Sequence, residues 1–280
     1  MDLPSKHILP VSLPHPNKLL NIEKLDYQNP YDFQRPHRHD YFELIFVTSG
    51  HGRQRIDFTS YDMKSGQIFT IYPGQIHLME RCSAEGIIIQ FRKNIFEFIV
   101  PLKHYRLYFP NSVFNLSESE FTHLHSLVER MYELLLDAEL SKLSIYKAYS
   151  YLQIILITLS EKYGDDVLVH GPQTIISFLS LLPQHISTYK KVSDYCSLLN
   201  CTPEKLNQVC KNTLGKNALE LIHEELIIEI RRLLLLGEMS LKEVAFELNF
   251  DSHSNFSGFI KSRTGLTPSE LQASLLEIYK

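Results

Sequence analysis

The chain has 280 residues, 44% of them hydrophobic and 21% charged, with a formal net charge of −4 at pH 7. That balance excludes a disordered or fibrous chain and leaves room for two domains of ordinary size. It also excludes a uniformly basic nucleic-acid binder, and the apolar runs at residues 154–159 and 233–236 are far shorter than the roughly 20 residues of a membrane span.

The first residues, MDLPSKHILPVSLPHP, place prolines where a secretory signal has its apolar run, so a cytoplasmic location and no membrane partner are expected. Residues 1–26 read as an extended arm followed by an edge strand. From residue 41 to about 92 the text turns to short β-rich runs, YFELIFVTSG, GRQRIDFTSYDM, QIFTIYPG and EGIIIQFRK, separated by glycines and polar turns. This is the pattern of a small antiparallel barrel or jelly roll. Within it stand His37-x-His39-x-x-x-Glu43, then Gly50, Gly66, Pro73-Gly74 and His77. That order resembles the two cupin motifs. The resemblance implies that His37, His39, Glu43 and His77 line one interior, since alternating strand positions point to the same side. In metal-binding cupins such a set converges on an ion. Here the four are read as an effector-binding set, with no metal, cofactor or catalytic residue assigned.

Two helices follow. Ser117-x-x-Glu120 is a capping box ahead of Phe121, Leu124, Leu127, Val128, Met131, Leu134 and Leu135, and residues 144–163 form a second helix with Tyr151, Ile154, Ile155 and Leu159 apolar. Residues 164–172 are short and polar and read as a linker.

The last third carries an internal repeat. Leu241, Val244, Ala245 and Leu248 have the spacing of one helix face, Asn249 tolerates a left-handed turn, and a second helix can start at Ser252 with Phe256, Phe259 and Ile260 inward. Gly265 stops it, and Pro268 suits the first turn of another. Upstream, Val192, Tyr195, Cys196 and Leu199 repeat the first stripe at an offset of 49, and Leu206, Val209 and Cys210 repeat the second at an offset of 50. Two copies of a helix-turn-helix are expected, joined by a helix over residues 217–236 about 30 Å long at 1.5 Å per residue. That is close to one turn of DNA, so both recognition helices can enter successive major grooves. The four cysteines, Cys82, Cys196, Cys201 and Cys210, lack C-x-x-C spacing and read as reduced structural thiols.

Leu241-Lys-Glu-Val-Ala245, Asn249-Phe250, Phe256-Ser-Gly-Phe259, Lys261 and Gly265-Leu-Thr-Pro268 resemble the AraC/XylS family of bacterial transcription regulators. The chain departs from the usual pattern at Asn249, Gly258, Glu225 and Leu271-Gln272. The resemblance implies an α+β protein: a cupin-like β-barrel with two dimerisation helices over residues 1–165, then a seven-helix, all-α DNA-binding domain over 172–280. It implies double-stranded DNA, a small-molecule effector and a second copy of the chain as partners, with RNA polymerase a candidate, and no enzyme activity. A cupin metalloenzyme with an appended helical domain is the alternative, and an interaction module that has lost DNA binding a third reading.

Residues 173–280 hold 11 Lys+Arg against 12 Asp+Glu, so charge must be segregated by face, with Lys190, Lys191, Lys205, Lys211, Lys216, Arg231, Lys261 and Arg263 on the phosphate side. Glu204, Lys205, Asn207, Gln208 and Lys211 point out from the first recognition helix. His253, Ser254, Ser257, Gly258 and Lys261 point out from the second. Asn207 and Gln208 carry the paired donor and acceptor that match an adenine edge, and Lys211 suits a phosphate.

Overall fold

A computed structural model describes residues 11–13, 18–26, 34–98, 112–136, 141–163 and 171–279. They fall into two compact units, one within residues 10–165 and one within 166–280. Most of the expected N-terminal arm and residues 164–170 of the expected linker lie outside the described residues.

Among the described residues the first unit holds nine strands: β1 (Leu20–Lys24), β2 (His37–Arg38), β3 (Phe42–Ser49), β4 (Gly52–Ile56), β5 (Thr59–Met63), β6 (Gln67–Ile71), β7 (Ile76–Glu80), β8 (Glu85–Phe91) and β9 (Val113–Asn115). They form two antiparallel sheets, ordered β1-β8-β3-β6-β9 and β2-β7-β4-β5. The expected barrel is therefore open, in the manner of a jelly roll, and β1 is the edge strand foreseen. Gly50 ends β3 with φ 75, and a Cβ there would lie 2.0 Å from the Ser83 carbonyl oxygen, so only glycine fits this turn.

The five-stranded sheet is buried on both faces, and the pleat assigns each residue a side. Ile45, Val47, Phe69, Ile71 and Ile88 pack with Ile56 and Met63 of the other sheet. Phe42, Leu44, Phe46, Ile68, Ile89 and Phe91 pack against two helices, α1 (Glu118–Leu136) and α2 (Lys142–Tyr163). The Ser117 hydroxyl and the Glu120 carboxylate cap α1 reciprocally, as its sequence demands. On α2 the buried face is Ala148, Tyr149, Leu152, Ile155, Leu156 and Leu159, whereas Ile154, one of the apolar residues of this helix, is 45% exposed. Both neighbours of Ile154 in sequence are apolar or long, so composition alone leaves the face ambiguous; packing on the sheet selects it.

The second unit contains seven helices among the described residues: α3 (Gln173–His185), α4 (Val192–Leu199), α5 (Pro203–Leu214), α6 (Ala218–Leu236), α7 (Leu241–Glu247), α8 (His253–Thr264) and α9 (Pro268–Ile278). Asn200 and Asn249 adopt the left-handed conformation between α4 and α5 and between α7 and α8, at φ 50 and 51. The caps that follow are Thr202 and Ser252. One residue, Cys201, separates turn from cap in the first copy and two, Phe250 and Asp251, in the second. The change of offset from 49 to 50 is this one inserted residue.

Candidate nucleic-acid interface and ligand site

Both recognition helices are fixed at both ends by the same devices. The Lys205 N–H donates to the Thr202 hydroxyl at 3.3 Å, and the Asn255 N–H to the Ser252 hydroxyl at 3.1 Å. Gly215 and Gly265, left-handed at φ 70 and 76, end α5 and α8. Leu206, Cys210, Phe256 and Ile260 bury the inner faces. Glu204, Lys205, Gln208 and Lys211 are exposed on α5, and His253, Ser254, Gly258 and Lys261 on α8, with Ser257 half-buried.

Asn207 departs from the expectation. Its carboxamide oxygen accepts the Ala218 N–H at 3.0 Å and the residue is half-buried. Ala218 opens α6, and the first N–H groups of a helix have no partner within it, so Asn207 is drawn inward to satisfy one. The repeat register would have indicated this. Asn207 aligns with Ser257, which is also half-buried, and both flank the outward stripe. The same register brings out two exposed amides that the outward set omits, Asn212, four residues after Gln208, and Asn255, which aligns with Lys205.

Three of the candidate phosphate cations are engaged within the unit. Lys190 Nζ donates to the Asn249 carbonyl at 2.7 Å and lies 4.9 Å from the centre of the Phe250 ring, and burial lowers its pKa. Lys216 pairs with Glu224 at 2.7 Å, and the Arg263 guanidinium contacts His223 Nδ1 on α6. Arg231 is half-buried, while Lys191, Lys205, Lys211 and Lys261 are exposed. Of the candidate cations, those that stay exposed outside these contacts, Lys191, Lys205, Lys211 and Lys261, lie on the recognition helices and at the N-cap of α4. Cys196 and Cys210 are buried, and burial pushes each thiol up to about 11, in keeping with inert core positions.

The polar set of the β unit gathers at one end of the space between the sheets. His39, Glu43 and His77 are 0%, 3% and 4% exposed, and one ligand atom from each lies within 4.8 Å of the others. His39 Nε2 stands 3.3 Å from Glu43 Oε2. His37 pairs with His77 in the register of β2 and β7 and its ring lies 4.4 Å from that of His77, but it is half-exposed and outside the converging trio. Each member of the trio is held from behind. His39 Nδ1 donates to the Tyr41 carbonyl at 2.7 Å, the Gln54 carboxamide lies 3.2 Å from His77 Nδ1, and Gln90, cross-strand from Glu43, hydrogen-bonds its carboxylate. Asn21 Nδ2 in turn donates to Gln90 Oε1 at 3.2 Å.

Burial, reinforced by His37, holds His39 down to about 3 against the pull of the Tyr41 carbonyl. Burial likewise keeps His77 well below the ordinary histidine range, again with His37 adding to it. Burial raises Glu43, opposed by His77, His37 and the Gln90 hydrogen bond. The result is a pair of neutral imidazoles and one carboxyl group in a site shut off from water.

Two family models match the chain in sequence: an AraC-like ligand binding domain over residues 20–143 and a helix-turn-helix domain over residues 195–274. The chain belongs to the AraC/XylS family of transcription regulators. Its matched segments coincide with the two-sheet unit and with the paired helix-turn-helix motifs. Among solved structures, ToxT from Vibrio cholerae is 17% identical over 91% of this chain and 97% of that one, with a TM-score of 0.42. ToxT bound to an unsaturated fatty acid is 18% identical over 91% and 94%, with a TM-score of 0.39. The AraC-like transcriptional activator CuxR is 13% identical over 75% and 86%, with a TM-score of 0.34. No curated protein matches the chain in sequence.

Proposed function

We propose that this AraC-type regulator reads DNA through the outer faces of α5 and α8 as a cytoplasmic homodimer, and that its β unit, over residues 1–165, senses a ligand at His37, His39, Glu43 and His77. The observation that carries the DNA reading is the duplication of one capped unit, with matching turns, caps and stops at both recognition helices. Between them runs α6, 19 residues and so roughly 28 Å long, a span suited to successive major grooves. Glu204, Lys205, Gln208 and Lys211 face one groove, with His253, Ser254, Gly258 and Lys261 facing the next. Asn212 and Asn255 join them as amides able to read base edges, while Ser257 and the inward Asn207 support the face from its flank.

Dimerisation is supported by an apolar stripe on α2, where Leu143, Tyr146 and Ile154 are 72%, 51% and 45% exposed. These positions return to the same side of a helix, with Lys147 and Ser150 between them, and exposed apolar side chains on one helix side suit contact with a second copy. Selection of DNA from a random pool by the purified full chain tests the central reading. Enrichment of a site with two protected major-groove segments about one helical turn apart is expected, and recovery of unenriched sequence would refute it.

A further inference from the structure

Each helix-turn-helix packs on α6, yet one side chain passes directly from the first motif to the second. Lys190 stands two residues before α4, and its Nζ donates at 2.7 Å to the carbonyl of Asn249, the left-handed residue between α7 and α8. Carbonyls at the end of a helix lack intrahelical partners and lie at the negative end of its dipole, so a cation suits this one. The same ammonium lies 4.9 Å from the centre of the Phe250 ring, within reach of a cation–π contact. Burial lowers its pKa and the Asp251 carboxylate opposes that fall. Three successive residues of the second motif's turn thus act on one lysine of the first.

Phe250 carries the contact onward. Its ring meets those of Phe256 and Phe259 on α8 at 5.2 and 5.7 Å, and Phe259 meets His223 on α6 at 5.2 Å. Lys190 therefore bears, through one ring, on the second recognition helix itself. The repeat does not require it. At the offset of 49 the second motif has Met239 in this place, and α7 and α8 form without a cation there. A helix-turn-helix can thus be built with an uncharged residue at this position, so the contribution of Lys190 lies between the motifs rather than within one.

We propose that Lys190 is a positioning residue that sets the separation and angle of the two recognition helices, and through them the half-site spacing that the chain accepts. This rests on the reading of α5 and α8 as paired DNA-reading helices. An operator whose segments match the bridged arrangement favours the bridge, and the bridge favours that operator by the same factor. One inserted base pair moves the second segment by about 3.4 Å and turns it by roughly 35°. A bridged pair of helices resists that change more than an unbridged pair.

The test uses the full chain with three duplexes: the operator selected from the random pool, the same operator with one base pair inserted between its two segments, and one segment alone. In Lys190→Met, operator affinity should fall about 5-fold or more while affinity for the single segment holds. The penalty for the inserted base pair should shrink by the same factor. Lys190→Arg keeps a cation that donates to the carbonyl and stacks on the ring, and should retain the spacing penalty of the unmodified chain. Thermal melting verifies that Lys190→Met is folded at the assay temperature, and Lys190→Gln is read in its place if it is not. A lysine that touched a phosphate would instead cost affinity on every duplex and lower the salt slope by about 1. That result, or an unchanged spacing penalty in the folded variant, would overturn the proposal. A pool that yields no operator would remove the DNA reading and this proposal together, whereas a bound operator with an unchanged spacing penalty removes the role of Lys190 alone.

Discussion

Gly258 offers the sharpest separation of stability from DNA contact. It lies mid-way along α8, it is exposed, and a Cβ added there would meet nothing within 4 Å. No steric demand within the protein therefore calls for glycine, and a glycine in a helix interior costs roughly 0.5–1 kcal/mol relative to alanine. Gly258→Ala should stabilise the helical unit by about that amount, which for a unit of this size raises its melting temperature by about 2–6 °C. On the proposed interface the same methyl group stands where DNA approaches, between Ser254 and Lys261. Operator affinity should then fall by roughly 1 kcal/mol or more, a factor of about 5. The two effects have opposite signs, so unfolding cannot mimic the binding loss. Thermal melting and fluorescence anisotropy with the selected site measure them separately. A lower melting temperature would refute the open helical environment, and a higher one with unchanged affinity would refute the placement of Gly258 against DNA.

Gln208→Ala should weaken operator binding by about 1–3 kcal/mol while affinity for random DNA holds, because base-edge contacts discriminate and phosphate contacts do not; equal losses on both would remove it from the reading set. Asn207→Ala should instead lower stability by about 1 kcal/mol, the usual worth of a hydrogen bond such as that to Ala218 N, with the ratio of specific to random affinity unchanged; a fall in that ratio would contradict its inward position. Residues 1–165 alone should form a dimer by light scattering, and Ile154→Glu should make it monomeric; a fragment already monomeric at micromolar concentration would refute the α2 contact. Burial first, and Arg263 second, lower the His223 pKa, so the unfolded chain binds the proton more readily. The contribution of His223 is therefore complete above about pH 6.5 and declines as pH falls below it. The loss of melting temperature between about pH 7.5 and 5.5 should shrink in His223→Gln, and an equal loss in the two proteins would count against this linkage.

What the sequence determined by itself is what depends on near neighbours. Thr202-Pro203, Ser252, Asn249 and the glycines at 215 and 265 specify caps, turns and stops through bonds spanning two to four residues, so both recognition helices were legible at their ends. Alternation along β3 likewise put Glu43 on the same side as Ile45 and Val47. The tertiary structure decided the outcomes that rest on residues far apart in the chain. Only packing on the sheet chose the buried face of α2 and left Ile154 outside. Only the start of α6, 11 residues on, drew Asn207 inward, and only Asn249, 59 residues away, engaged Lys190. The convergence of His39, Glu43 and His77 belongs to the same class. Their types and order were readable, but a shared point within 4.8 Å, closed to water and supported by Gln54 and Gln90, exists only once two sheets face each other. Pattern along one strand fixes direction, whereas distance across the core is set by the partner sheet.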